Sequence, residues 1–210
     1  MSKGPATLAA LVLVSACSHA PPGVPAPAAP AAAAPATPAV PPILITGREQ
    51  YYDIDGASAG ALRDQIHRLG PKDESGTSQD ALTVWDLEWT YHDAPRAGGC
   101  ALRDVRVTLN VTVTLPRWTP SETAEPTLRA SWRSYVEHVK VHEAGHRAIA
   151  QGFARQLFTT LSGLSAATCD ELHGVASRRA EEIVAEGRAR NRAYDVETKH
   201  GQTQGVVLGP

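Results

Sequence analysis

The chain has 210 residues, of which 20% are charged, and its 20 Lys and Arg against 22 Asp and Glu leave a formal net charge of −2. That balance gives no electrostatic basis for gripping nucleic acid or an anionic membrane surface. No long apolar segment follows the first few residues, so the bulk of the chain reads as one globular domain with one core.

The N-terminus reads as a targeting segment. Lys3 supplies a short positive region, and Ala6 to Val14 is an apolar core too short to span a bilayer. It leads into Val14-Ser15-Ala16-Cys17, which resembles the bacterial lipobox, in which the cysteine becomes the lipid-modified first residue. Residues 1–17 are therefore expected to be a lipoprotein signal, with Cys17 lipidated. Ser18 after it suits release to the outer membrane, facing the periplasm. Pro and Ala dominate residues 18–42, which carry no charge. Such a segment extends at roughly 3.1 Å per residue and serves as a tether. With Cys17 lipidated, two of the three cysteines remain, Cys100 and Cys169, free to pair as a disulfide in an oxidising compartment.

The domain is expected over residues 43–210. Gly47 to Ile54 reads as a first strand. Ser58 to Leu69 reads as a helix, with Ser58 as N-cap and Gly70-Pro71 as its stop. Leu82 to Tyr91 is rich in strand formers. In Val105 to Leu115 apolar residues alternate with Arg106, Thr108, Asn110, Thr112 and Thr114, as in a half-buried antiparallel strand ended by Pro116. Two helices follow, from about Thr127 to Leu161 and from about Cys169 to Arg190. Gly152 in the first costs about 1 kcal/mol relative to alanine, and marks either a bend or a close approach by another segment. The architecture is α+β.

The first of these helices carries the chemistry. His142-Glu143-Ala144-Gly145-His146 spells H-E-x-x-H, in which two histidines four apart on one helical face share a zinc ion and the glutamate takes a proton from water. Trp132, Val136, Val139, Glu143, His146, Ala150, Phe153 and Leu157 form the inward stripe of an amphipathic helix. Glu143 and His146 thus interrupt an apolar seam, where a carboxylate is costly without a compensating charge. The bland alternative is a surface helix with fortuitously aligned polar residues, or a pair of satisfied core histidines.

A catalytic zinc usually has three protein ligands and one open position. His138 lies eight residues before His146, roughly 12 Å along the helix, too far to share an ion with it. The metzincin extension is absent, because Ile149 and Gly152 stand where it needs glycine and histidine. Glu181, Glu182 and Glu186 on the second helix offer a gluzincin-like completion, though they alternate with arginines as on a solvated face. The tail from Tyr194 to Gly205 is dense in ligand and turn residues.

Several features together resemble a bacterial domain-of-unknown-function family of predicted secreted zinc-dependent proteases. They are Tyr51-Tyr52-Asp53-Ile54, Leu115-Pro116-x-Trp118, Trp132 and Tyr135 ahead of His-Glu-Ala-Gly-His, and the Cys100/Cys169 pair. Tyr194-Asp195-x-x-Thr198-x-His200-Gly201-x-x-Gln204-Gly205 completes the set, and the resemblance covers most of residues 48–206. It implies a zincin-like fold, with a small antiparallel sheet on the H-E-x-x-H helix and a second C-terminal helix. The tail is also similar to that of aspzincins, in which an aspartate completes the site.

The expected metal ligands are His142, His146 and His200. Gly201 would let the backbone turn toward the site. Asp195 ranks next, as the alternative ligand or as the acceptor fixing a ligand ring, and a second-helix glutamate third. Tyr194 offers a contact to developing negative charge, or aromatic packing. The function expected is hydrolysis of a protein or peptide in the cell envelope, with Zn2+ as cofactor and Glu143 as general base. The alternatives are a peptidoglycan-peptide hydrolase, or a tethered binding or scaffold protein with a structural or vestigial zinc site.

Overall fold

A computed structural model describes residues 41–209 apart from 121 and 123. The signal segment, Cys17 and nearly all of the tether lie outside the described residues, which form one compact unit. None of their helices is long and apolar enough to cross a membrane.

Strand β1 (Ile43–Ile54) leads into helix α1 (Ala59–Leu69), whose N-cap Ser58 accepts a hydrogen bond from the Ala61 amide at 3.2 Å. Strands β2 (Leu82–Arg96) and β3 (Gly99–Trp118) form a long hairpin. Helix α2 (Pro126–Gly163) follows, with Pro126 in its first turn, where its missing N–H costs nothing. The short strand β4 (Ser165–Ala166) precedes helix α3 (Cys169–Thr198), capped by the Thr168 hydroxyl, and a 3-10 turn at Gln202–Gln204 closes the order.

The sheet runs β1-β3-β2, with β4 pairing the start of β3. It is mixed, not wholly antiparallel as the sequence suggested: β3 pairs antiparallel with β2 but parallel with β1. The cause is topological. α1 carries the chain past the neighbouring position, so that β3 returns into the gap between β1 and β2. β3 also continues beyond Pro116, which pairs with Tyr52 of β1. The last β2 pair is Leu82 with Thr114, so Pro116 sits where β3 is an edge on that side, a position that tolerates proline.

The alternation in β3 sorts its two faces. Val105, Val107, Leu109, Val111, Val113 and Leu115 are all buried beneath the helices. The other face carries polar cross-strand pairs to β1: Thr46 with Asn110, Arg48 with Thr112 and Gln50 with Thr114. Among the described residues only one face of the sheet is covered, as in many antiparallel or mixed sheets. α2 lies over it with Trp132, Tyr135, Val139, Ala150, Leu157 and Leu161 buried, and α3 adds Leu172, Ala176 and Ile183. Cys100 of β3 and Cys169 at the start of α3 are joined in a disulfide, which ties the far end of the hairpin to the second helix.

Several elements extend further than the sequence indicated, and the extension of α3 matters for the site. α3 continues to Thr198, about two turns past Arg190, and ends at the left-handed cap Lys199. Tyr194 and Asp195 therefore stand on a helix. Beyond it, Val206 and Leu208 are buried, Arg63 of α1 donates to the Leu208 carbonyl, and Ser131 of α2 donates to that of Gly209.

Candidate metal centre

His142 and His146 project one turn apart from α2, and α3 brings Asp195 against them. The Asp195 Oδ1 atom lies 3.2 Å from His142 Nε2 and 3.0 Å from His146 Nε2, and the two Nε2 atoms are 3.3 Å apart. These edges can be compared with those of a tetrahedral zinc site. Ligands about 2.0–2.1 Å from one ion in that geometry are about 3.3 Å from each other. The donor set fits zinc in kind and in size.

The other ring nitrogens show why the Nε2 atoms are free to act as ligands. His142 Nδ1 lies 2.9 Å from Gln204 Oε1, and the same amide donates through Nε2 to the Tyr194 hydroxyl at 2.9 Å. With the amide oriented to donate to Tyr194, Oε1 accepts from His142 Nδ1–H, and the lone pair of the neutral ring then lies on Nε2. His146 Nδ1 meets Asn191 Oδ1 at 3.3 Å in the same way. Ligand histidines are commonly oriented by such acceptors.

The electrostatics agree. Burial opposes the charged form of Asp195, yet the hydrogen bonds to His142 and His146 outweigh it and hold the carboxyl well below the usual range. Burial likewise opposes a charged His142, and the hydrogen bonds to Asp195 and Gln204 outweigh it, raising its pKa. Both shifts express the same contact between Asp195 and the histidine rings, which favours an ionised carboxylate at this point.

Glu143 is 5% exposed and its Oε2 accepts a 2.6 Å hydrogen bond from Thr83 Oγ1 on β2. Among the described residues no donor reaches Oε1, and Glu143 lines the adjoining cleft. Burial raises its pKa, partly offset by the Thr83 hydrogen bond and the two histidines. Thr83 was not singled out from the sequence, because nothing distinguishes one threonine in a strand. Its position is set by pairing with Val113 and by the loop before β2. There the Asp80 carboxylate accepts from Tyr135 (2.8 Å) and the Asp80 carbonyl from Tyr52 (2.6 Å).

Tyr194 serves as a wall. Its ring stacks on His142, with centroids 5.1 Å apart and planes at 11°, and stands edge-on to His146 at 4.9 Å. Gly145, inside the motif, makes room for it: a Cβ there would overlap the Tyr194 hydroxyl. Lys199, His200 and Gly201 all have positive φ, at 50°, 52° and 80°. A Cβ on Gly201 would come within 2.6 Å of Val206 and 3.0 Å of the His142 ring. This turn, with Gln204 just after it, closes the site behind His142.

His200 is placed differently from the sequence expectation. Its side chain is 60% exposed, its Nδ1 is 3.9 Å from Asp195 Oδ1, and it stands outside the three-atom cluster, on the rim of the cleft. By position Asp195, and not His200, meets the two histidines, because the two extra turns of α3 carry Asp195 inward. Of the second-helix glutamates, Glu182 pairs with Arg179, Glu186 accepts from Gln156, and Glu181 is exposed. His138 packs on Gly205. Among the described residues no segment makes a close approach at Gly152, where a Cβ would meet nothing within 4 Å.

A cleft of about 1030 Å³ opens over the site. Its walls are the start of β2, the loop from Lys72 to Asp80, and the α3 face with Arg188, Asn191, Arg192 and Asp195. Only β3 pairs with β2 among the described residues, so the other edge of β2 is open.

No curated protein and no solved structure matches the chain. A family model does, over residues 49–201, a span that begins two residues before Tyr51-Tyr52 and ends at Gly201. With that match over most of its length, the chain belongs to the DUF922 family of bacterial proteins of unknown function.

Proposed function

We propose that the chain is a zinc-dependent peptidase of zincin-like architecture, tethered in the cell envelope. One observation carries the reading: His142 Nε2, His146 Nε2 and Asp195 Oδ1 meet at tetrahedral spacing, beside a buried glutamate that is not among them and at the floor of an open cleft. His142, His146 and Asp195 would hold the ion. When bound, it supplies Lewis acidity toward a peptide carbonyl and toward water. Glu143 Oε1 takes the proton of the attacking water and passes it to the leaving amine, while Thr83 steadies Oε2. The open edge of β2 suits an extended peptide backbone lying alongside the site.

A purely structural or vestigial zinc site needs its ligands and nothing more. It gives no reason to bury a carboxylate beside them at the cost of desolvation, which disfavours the scaffold reading. The envelope location rests on the sequence of residues 1–42, and Cys17→Ser should leave the precursor unprocessed.

The test is hydrolysis of a mixed peptide library by the purified full-length chain. Cleavage should disappear on chelation, return with added zinc, and be absent from Glu143→Gln. Cleavage that survives both chelation and Glu143→Gln would contradict the proposal, as would a chain that binds zinc and cuts nothing.

A further inference from the structure

We propose that Arg188 and Arg192 form a carboxylate subsite on the α3 wall of the cleft, so that the substrate is an acidic peptide. This rests on the reading of the cleft as a peptide site and specifies its substrate class. Arg188, Asn191, Arg192 and Asp195 recur at helical spacing on one face of α3, and all four line the cleft. Asn191 and Asp195 are engaged with the metal centre. The two arginines are exposed, and neither guanidinium has a protein acceptor among the described residues. Elsewhere on the same helix Arg179 pairs with Glu182 and Arg190 with Glu197. Of the three α3 arginines outside the cleft two are paired and Arg178 is not, whereas among the described residues neither of the two at the cleft has an acidic partner.

Two like charges four residues apart weaken a helix, and an anion shared between them removes that penalty. A guanidinium binds a carboxylate as a two-pronged fork, with direction as well as charge. The subsite also has an apolar floor. Gly187, just before Arg188, lets Trp85 of β2 approach, since a Cβ there would lie 3.0 Å from Trp85 Cη2. The cleft is also lined by Asp73, Glu74, Asp80 and Asp86, which repel a polyanion but not one carboxylate held at the α3 side. Arg192 and Arg188 precede Asp195 by three and seven residues, roughly 4.5 and 10 Å along the helix axis. An extended peptide covers that distance in about one to three residues. The recognised carboxylate therefore belongs either to an acidic side chain close to the scissile bond or to a nearby free C-terminus.

The probe is a set of labelled short peptides identical except for Glu, Gln or Lys at one position, each with a free or an amidated C-terminus. Binding is read by fluorescence anisotropy on the full-length, zinc-loaded Glu143→Gln chain, so no turnover is needed. The Glu peptide should bind about 10-fold more tightly than the Gln peptide, and added salt should shrink the difference. Arg188→Gln/Arg192→Gln should abolish it, and Arg188→Glu/Arg192→Glu should reverse it in favour of Lys, with circular dichroism unchanged. If amidation instead of Glu→Gln removes the preference, the carboxylate bound is the terminal one. Equal binding of all the peptides would overturn the subsite and leave the peptidase reading standing. Failure to bind any peptide would overturn both.

Discussion

The two histidines of the site stand four residues apart, a local spacing that any helix turns into one face, so their partnership was legible in the sequence. Asp195 was named but ranked below His200, because the choice between them depends on where α3 ends, and that is settled by packing of the tail against α1 and α2. Asp195 lies in the cluster and His200 at the rim, so His200→Ala should lower zinc affinity by at most about 10-fold, within the range of an indirect contact. Competition against a zinc chelator measures it. Thr83 had no sequence signal at all. Its hydroxyl stabilises the charged form of Glu143, so Thr83→Val raises the glutamate pKa. Since the base works ionised, activity is lost as pH falls through that pKa. The acid limb of kcat/KM should therefore move to higher pH, by about one unit. An unmoved or lowered limb would remove Glu143 from the role of base.

At the scale of elements, α2 shows how two glycines in one helix differ. Gly145 sits under the Tyr194 ring, and no pattern of hydrophobicity could have revealed that approach. Gly152 drew notice only as a weak point, and it has open space around it. Gly145→Ala should thus push Tyr194 off its stack on His142 and cost about 1–3 kcal/mol, as overpacking does. Gly152→Ala should stabilise the helix by up to about 1 kcal/mol. Denaturant unfolding of the two variants tests both, and a destabilised Gly152→Ala would mean that something packs there after all. The strands were readable as strands from their alternation. Their order was not, because parallel pairing of β1 with β3 depends on the path through α1 and leaves no mark on either strand.

At the scale of the molecule, α3 is the second half of the site, fixed to the sheet at one end by Cys100–Cys169 and meeting α2 at the other through Asn191, Tyr194 and Asp195. Cysteine counting found that bond without any structure. Its loop spans 69 residues, for which the chain-entropy model gives about 4 kcal/mol. Cys100→Ser/Cys169→Ser should lose stability of that order by denaturant unfolding, while the folded fraction should keep its metal site. The central claim is that His142, His146 and Asp195 bind the ion and that Glu143 works beside it without being a ligand. Zinc stoichiometry of purified variants, measured by elemental analysis, tests it most directly. The account predicts about one zinc per chain in the parent and in Glu143→Gln, and near-complete loss in His142→Ala, His146→Ala and Asp195→Ala. Loss of zinc from Glu143→Gln as complete as from the histidine variants, or full retention by Asp195→Ala, would contradict it.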